Sequence, residues 1–346
     1  MLIAKQAPFA MPIKNDFLKP FSEKECKTKI LDYLEEFILH APYRKKQNGE
    51  IGLRKSSVLN YINFKLHIKN FQDHTRYHEL TFMDLNRNLV ENFTEWLLKE
   101  RRYSENHAGR ILMTLKTLAL DAKKNELPTH SYVNHISGFS QRSHKKIINI
   151  LSFEDLKKIE EVALDKRHLE NVRNWLIIGF WIGQRVSDLL TITPDQLRDA
   201  PNGGIYVDIL QKKTDKKVTV GVIDPLAMEI LRNNFPRKLT AQRFNCYLKT
   251  VLQKAGITKM VRGSKFNKKT KRKELGIYPK YSVICSHDLR RSFATNFFGK
   301  IPTPVLMTMT GHTKESTFMG YIGRDPNRDN YADAFMEGVM KLNSVK

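Results

Sequence analysis

Residues 287–295 read His-Asp-Leu-Arg-Arg-Ser-Phe-Ala-Thr, a stretch that combines a helical spacing with two kinds of reactive side chain. A separation of three residues places His287 and Arg290 on one face of a helix, and Ser286 is suited to cap that helix. Histidine can transfer a proton near neutral pH, and the planar fork of arginine can hold an oxyanion. We therefore expect this helix to contribute two groups to a site that other segments complete.

Candidate partners for this helix lie on both sides of it in the sequence. Arg185 is upstream in Gly183-Gln184-Arg185, and His312 and Tyr321 are downstream, with Gly311 before the histidine. A tyrosine hydroxyl can attack a phosphate when cations stabilise the charge on the non-bridging oxygens and another group protonates the leaving oxygen. Taken singly, Tyr321 would more often be a packing residue and Arg185 an ion-pair partner. Together they predict a site that cuts a phosphodiester without a metal ion.

The overall charge points to a polyanionic partner. Lys and Arg number 59 against 36 Asp and Glu, so the formal net charge is +23, spread over 346 residues. Such a balance is typical of proteins that bind nucleic acid. The length suggests about two domains, and 41% apolar with 10% aromatic residues favours folded domains over disorder.

Cysteine usage and hydropathy restrict the cellular setting. Cys26, Cys246 and Cys285 are widely spaced and form no pattern of metal ligands, which favours a reduced cytoplasmic environment and predicts no metal site. The longest apolar run, residues 175–183, is far shorter than the roughly 20 residues of a membrane span. The first twenty residues lack the apolar segment of a secretory signal. We therefore expect no membrane association.

Periodicity divides the chain into a lead over residues 1–24, a helical domain over 25–127, a linker over 128–149 and a second domain over 150–346. In the first domain, the apolar residues between 85 and 97 form one helical face that Asp84 is suited to cap, and Ser104 opens another helix. The linker is rich in His and Ser and shows no sustained period.

The second domain begins with a capping box at residues 152–155. Within it, the β-rich runs 205–209 and 218–222 are joined by a turn and predict a hairpin in a mostly helical domain. The expected fold class is mainly α with a small β-sheet: an all-α first domain followed by a mixed α/β second domain.

Two sets of basic residues are candidates for DNA contact. Residues 258–280 form a Lys/Arg run that would by default be a solvated loop, but the basic chain and the position before His287 favour phosphate contact. In the first domain, Arg110 and Lys116 point outward from a helix that we expect to enter a major groove. The candidates in the basic run are Lys268, Lys269, Lys271, Arg272 and Lys273.

In order along the chain, the motifs resemble those of the tyrosine recombinase (phage integrase) family, especially mobile-element integrases with a SAM-like core-binding domain. The resemblance runs from about residue 25 to the C-terminus. Its motifs are Gly183-Gln184-Arg185-Val186-Ser187-Asp188-Leu189, Gln211-Lys212-Lys213-Thr214, the stretch 287–295, and Gly311-His312 with Thr317 and Tyr321. Nine residues separate His312 from Tyr321, which favours Tyr321 over Tyr331.

The resemblance implies a role for each matched residue. Tyr321 would attack the phosphate and form a 3′-phosphotyrosyl link. Arg185 and Arg290 would bind the non-bridging oxygens, with a further hydrogen bond from His312. His287 would accept the tyrosine proton and Lys213 would protonate the leaving oxygen, with Lys212 as the alternative. Asp188 would orient an arginine. No cofactor, metal ion or ATP would be required.

The resemblance also implies partners and a cellular role. Double-stranded DNA would be the substrate, a homotetramer would form on synapsed DNA, and accessory DNA-bending or directionality factors would assist. The protein would act in the cytoplasm on the nucleoid, in integration or excision of a mobile element. Two alternatives remain: a nicking-closing enzyme like the type IB topoisomerases, and a non-catalytic DNA-binding regulator.

Overall fold

The computed structural model describes residues 28–45, 49–76, 79–140, 147–270, 272–322, 335–337 and 339–340. The chain divides into two compact units, with the division between His144 and Lys145. Helices predominate, and the strands form two small antiparallel sheets. This confirms the predicted fold class. None of the helices in these ranges is long and apolar enough to cross a membrane.

The regular elements of the first unit, among its described residues, are all helices. Its α-helices are α1 (Ile30–Leu39), α2 (Lys55–Thr75), α3 (Arg87–Lys99) and α4 (Glu105–Lys124), with 3₁₀ helices at Phe82–Asp84 and Ser131–His135. Aromatic side chains fill its core: Phe71 packs edge-on against Phe93 and Trp96. The apolar positions between 85 and 97 are buried, as their period predicts.

The predicted cap at Asp84 is wrong. Helix α3 begins at Arg87, and the side chain of Asn86 caps it by accepting the Leu89 amide at 2.9 Å. The Asp84 carboxylate instead accepts the Thr81 amide and closes a capping box on the preceding 3₁₀ helix. Asp84 and Asn86, two positions apart, therefore cap two consecutive helices. The apolar period of α3 does not reveal the short 3₁₀ helix before it.

Part of the predicted linker packs into the first unit. Val133 and Ile136 are buried in its core. The ammonium group of Lys116 donates to the carbonyls of Asn134 at 3.0 Å and Ile136 at 2.6 Å, which fastens this segment to α4. Isolated apolar residues among His, Ser and Pro show no period, so the sequence did not indicate this packing. Residues 141–146 lie outside the described ranges.

The second unit is built around α6 (Arg167–Ile182), whose side chains are buried along most of its length. The other helices are α5 (Phe153–Glu161), α7 (Val186–Leu189), α8 (Pro225–Arg232), α9 (Ala241–Lys254), α10 (Lys280–Val283), α11 (Ser286–Phe297), α12 (Thr303–Thr310) and α13 (Glu315–Met319). The predicted capping box at Ser152 opens α5, with Asp155 as its second member. Helices α8, α9 and α11 all contact α6.

The predicted hairpin is present as part of a three-stranded sheet. Strands β1 (Leu197–Asp199), β2 (Ile205–Leu210) and β3 (Lys217–Val222) pair in that order, antiparallel throughout. Ile205 pairs with Val222, Val207 with Val220 and Ile209 with Val218. These paired residues are all buried, so one sheet face packs on the core while the other is polar.

The basic run is a second hairpin rather than the expected loop. Strand β4 (Met260–Asn267) pairs with β5 (Arg272–Pro279) along its full length. At the turn, the Asn267 amide and the Thr270 hydroxyl donate to the Glu274 carboxylate. One face carries four apolar side chains that are each more than half exposed: Met260, Phe266, Leu275 and Ile277. Because lysines and arginines interrupt the alternation of these apolar residues, the sequence did not predict the two strands.

Candidate active site

Four segments of the second unit meet around five of the predicted catalytic residues, which are Arg185, His287, Arg290, His312 and Tyr321. The segments are the α6–α7 connection, the turn between β2 and β3, helix α11, and the chain from the end of α12 through α13. The carbonyls of Gly183 and Thr310 both accept from the Arg290 guanidinium. These bonds hold Arg290 of α11 against the end of α6 and the end of α12. Residues up to 136 positions apart in sequence, from Arg185 to Tyr321, thereby form one site.

Arg185 is presented by a sharp reversal after α6. Gly183 ends that helix with φ +63°, and a Cβ at this position would lie 2.5 Å from the Phe293 ring, so both conformation and space require glycine. The chain then turns into α7, and Arg185 Nη1 donates to Gln211 Oε1 at 3.1 Å. The arginine is thus held by the β2–β3 turn.

Asp188 occupies a buried position beside this arginine. Its Oδ2 lies 3.9 Å from Arg185 Nη1, which is long for an ion pair. Its Oδ1 accepts the backbone amide of Lys212 at 3.1 Å. The carboxylate therefore holds the start of the turn that carries the candidate lysines, and its contact with Arg185 is the weaker of the two.

Arg290 has 0% exposure and lies at the centre of the site. Besides its two carbonyl acceptors, its Nη2 lies 3.2 Å from His312 Nε2, and its guanidinium carbon lies 5.6 Å from the Tyr321 ring centre. Burial, together with the charge of nearby Arg185, lowers the pKa of Arg290 to about 10. The guanidinium therefore stays charged at neutral pH.

The two histidines flank the tyrosine ring. The Tyr321 ring centre lies 4.8 Å from that of His312 and 5.2 Å from that of His287. Thr310 Oγ1 lies 2.8 Å from His312 Nδ1. Burial and the charge of Arg290 lower the pKa of His312 to about 4, so the imidazole is neutral at neutral pH.

The predicted cap at Ser286 is wrong, because helix α11 begins at Ser286 itself. Cys285 is the capping residue, and its amide donates to the Asp288 carboxylate at 2.8 Å. Ser286, the predicted cap, is instead the first helical residue and bonds the Asn245 side chain of α9. The start of α11 is thereby anchored to the core, and His287 follows directly.

Both units match known protein families. The profile of the phage integrase family matches residues 149–328, and that of the phage integrase SAM-like domain matches residues 29–137. The chain belongs to the phage integrase family. Its members are tyrosine recombinases, enzymes that break and rejoin DNA, and this chain is one of them.

Solved structures of the phage integrase fold resemble this chain at low sequence identity. A lambda integrase dimer bound to a COC′ core site is 16% identical, with 88% of this chain and 80% of that chain covered and a TM-score of 0.61. XerH recombinase in a post-cleavage complex is also 16% identical, with 89% and 95% covered and a TM-score of 0.57. The Tn1549 transposon integrase with circular intermediate DNA is 13% identical, with 89% and 99% covered and a TM-score of 0.57. No curated protein gave a significant match.

The candidate lysines for protonating the leaving oxygen lie in the β2–β3 turn. Lys212 and Lys213 are exposed, and Lys216, directly before β3, is partly buried. Lys216 is the third lysine after Gln211, and its carbonyl accepts the backbone amide of Gln211. Gln211 and Thr310 were missed as site residues, because their contacts join segments distant in the sequence.

The candidate DNA-contacting residues of this phage integrase differ in their exposure and in their hydrogen bonds. Lys268, Lys269, Arg272 and Lys273 are exposed at the tip of the β4–β5 hairpin, and Lys271 lies outside the described residues. Arg110 is exposed beside a groove of about 270 Å³ in the first unit. The polar residues lining that groove are Asn60, Asn63, His67, His107, Arg110 and Thr114. Lys116 is committed to two backbone carbonyls, which argues against its predicted DNA contact.

Proposed function

We propose that this chain is a site-specific recombinase that integrates or excises a mobile element by cutting duplex DNA with Tyr321. The observation that carries the proposal is the clustering of Tyr321 with His287, His312 and Arg290 within 5.6 Å of its ring centre. A tyrosine in this setting has a proton acceptor and a fixed cation beside it, as nucleophilic attack on a phosphodiester requires.

The proposed cleavage step is a single displacement at phosphorus. The Tyr321 oxygen forms a bond to phosphorus as the bond to the 5′ oxygen breaks, which leaves a 3′-phosphotyrosyl link. The tyrosine proton passes to His287, and Lys213 gives a proton to the departing 5′ oxygen. A 5′-hydroxyl from a partner strand then attacks the link and releases Tyr321. One phosphodiester is exchanged for another, so the cycle consumes no ATP.

Charge stabilisation is assigned to the two arginines. Arg185 and Arg290 bind the non-bridging oxygens as negative charge increases on them. His312, a neutral imidazole beside Arg290, is assigned a further hydrogen bond to the same oxygens. Asp188 supports the β2–β3 turn through the Lys212 amide. With cations in these roles, we propose that no metal ion takes part.

Covalent trapping tests the proposed function. The full chain is incubated in EDTA with nicked suicide duplexes that carry DNA flanking its gene, and a denaturing gel is used to detect protein linked to DNA. The proposal predicts a shifted band that forms without metal or ATP. Specific binding without that band would favour the regulator alternative, and plasmid relaxation without recombinant product would favour a nicking-closing enzyme.

The role of Lys213 can be separated from those of the other lysines by changing the leaving group. We expect Lys213→Ala to slow cleavage of ordinary DNA by about 100- to 10,000-fold, the usual range for a general acid. With a bridging 5′-sulfur in place of the 5′ oxygen, the leaving thiolate needs no proton because thiols have a pKa near ~8.5. The variant should then cleave at nearly the wild-type rate.

Lys212→Ala and Lys216→Ala provide matched controls in the same turn. Single-turnover rates on both substrates are expected to stay near wild type for each of them. If the slow cleavage and its sulfur rescue appear in one of these variants instead, the general acid is that lysine and the assignment of Lys213 fails.

The DNA partner is proposed from charge and from the relatives. The similar structures of lambda integrase, XerH and Tn1549 integrase are complexes with DNA, and another contains a lambda integrase tetramer on a Holliday junction. We propose that the tip of the β4–β5 hairpin and Arg110 contact the duplex, that the active assembly is a tetramer, and that accessory DNA-bending or directionality factors assist. The site of action would be the cytoplasmic nucleoid.

Salt dependence measures the hairpin contacts. Each phosphate contact contributes about −0.9 to the slope of log affinity against log salt concentration. If Lys268 and Lys269 each contact a phosphate, the double alanine variant should reduce the magnitude of that slope by about 1.8. Fluorescence anisotropy over a salt series gives the slope. Arg87 and Lys99 are paired with Glu91 and Glu95, and their double alanine variant is the control that should leave it unchanged.

A further inference from the structure

Two buried glutamine side chains connect the segments around Arg185. Gln184 and Gln211 have 1% and 0% exposure, and Gln211 Nε2 donates to Gln184 Oε1 at 2.9 Å. Gln184 is itself fixed, because its Nε2 donates to the carbonyls of Ile182 at 3.0 Å and Met309 at 2.7 Å. With both of its donors used on carbonyls, Gln184 can offer Gln211 only its oxygen.

Gln211 uses its full hydrogen-bonding capacity. Its Nε2 donates to Gln184 and also to the Thr310 carbonyl at 3.1 Å. Its Oε1 accepts from Arg185 Nη1 at 3.1 Å and from the Thr214 hydroxyl at 2.9 Å. A primary amide has two donor hydrogens and two acceptor lone pairs, and here all four have a partner.

This arrangement fixes which end of the Gln211 amide faces Arg185. If the amide were flipped, its NH₂ group would oppose the arginine, and its oxygen would oppose two other oxygens. The chain of bonds that begins at the Ile182 and Met309 carbonyls therefore ends with an acceptor directed at Arg185. Because that acceptor is neutral, it orients the guanidinium without cancelling the positive charge that the phosphate needs.

The same amide joins the positions of the two arginines. The Thr310 carbonyl accepts from both Gln211 Nε2 and Arg290 Nη2. Arg290 is therefore bonded to this carbonyl directly, and Arg185 is linked to it through Gln211. Gly311 makes this approach possible, because a Cβ there would lie 2.4 Å from Gln211 Oε1. The β2–β3 turn that carries the candidate lysines begins at Gln211 as well.

We propose that Gln211 is a positioning residue for cleavage, which acts by holding the Arg185 guanidinium in its catalytic orientation through the amide pair with Gln184. The proposal rests on the recombinase function proposed above. Gln211 does not touch the phosphate, so its loss should lower the cleavage rate and leave DNA affinity unchanged. A misplacement of about 1 Å in a catalytic group can cost about 100-fold in rate.

A mutant cycle with Arg185 tests this proposal. Single-turnover cleavage is measured at saturating protein for the wild-type chain, Gln211→Leu, Arg185→Ala and the double variant, on a suicide duplex with a bridging 5′-sulfur so that slow rates are measurable. DNA affinity is measured by anisotropy. We expect Gln211→Leu to lose about 100-fold in rate in the wild-type background and almost nothing in the Arg185→Ala background.

Gln196→Leu is the matched control. The Gln196 side chain donates to the carbonyl of Asp208 in β2, and the variant should cleave at the wild-type rate. An equal loss for Gln211→Leu in both backgrounds would mean that the residue is only structural, and no loss in the wild-type background would overturn the proposal outright. Absence of an adduct with the wild-type chain would refute the recombinase function instead.

Gln211→Glu covers the case in which the leucine variant does not fold. The carboxylate has nearly the same shape, but it cannot donate to Gln184 or Thr310, and its charge neutralises Arg185. We expect a folded protein, judged by its melting temperature, with cleavage reduced by about 100-fold. Wild-type cleavage by Gln211→Glu would overturn the proposal.

Discussion

Tyr321→Phe is expected to abolish the covalent protein–DNA adduct while leaving DNA affinity nearly unchanged. The substitution removes only the hydroxyl oxygen, which is the proposed nucleophile. The ring can keep its place between His312 and His287, and the backbone amide of residue 321 still donates to the Phe318 carbonyl. The measurement is adduct formation on a suicide duplex in EDTA, with anisotropy for binding.

Tyr281→Phe is the matched control for this prediction. Tyr281 is a partly buried tyrosine of the same unit that packs against its core. The control should form adduct as the wild-type chain does. If Tyr321→Phe still forms an adduct, peptide mapping of the linked residue would identify the true nucleophile; Tyr331, the rival in sequence, lies outside the described residues.

Arg290→Lys should slow cleavage by about 100- to 1,000-fold, the usual cost of losing one donor to a developing oxyanion. Lysine keeps the positive charge but has no planar fork, so it cannot reproduce the bonds to the Gly183 and Thr310 carbonyls together with a contact at His312. The cation would then occupy several positions instead of one. The rate is measured in single turnover at saturating protein.

Arg291→Lys provides the comparison at the next position. Arg291 Nη1 donates to Asp288 Oδ1 at 2.8 Å and has no contact with Tyr321 or His312 among the interactions of the described residues. Its lysine variant should cleave within a few fold of wild type. Equal losses for the two variants would indicate that α11 needs positive charge in general rather than the Arg290 fork.

The residues that meet around Tyr321 could be predicted because they belong to short motifs. His287 and Arg290 share a helix, and Gly183 and Gly311 each end a helix immediately before a site segment. The three-stranded sheet was partly predictable as well, because the alternation of buried residues in β2 and β3 is uninterrupted by charge. Periodicity and turn residues are local signals, and these elements depend on them.

What the sequence did not indicate depends on contacts between distant segments. Gln211 appeared in a motif only as the residue before the lysines, and its partners are 27 and 99 residues away. Lys116 looked like a surface cation because its two carbonyl partners lie beyond a helix end. The β4–β5 hairpin was hidden because its exposed strands do not follow a buried-face alternation.

Gly183 and Gly311, the two glycines with positive φ beside the site, indicate which substitutions inactivate a gene of this kind. Gly183 and Gly311 combine a positive φ with a neighbouring side chain closer than 3 Å to any added Cβ, so every single-nucleotide missense change at either codon introduces a clash. In a related gene with this architecture, a residue other than glycine at the position of Gly183 or Gly311 would mark a recombinase that has lost function, even where the tyrosine codon is intact.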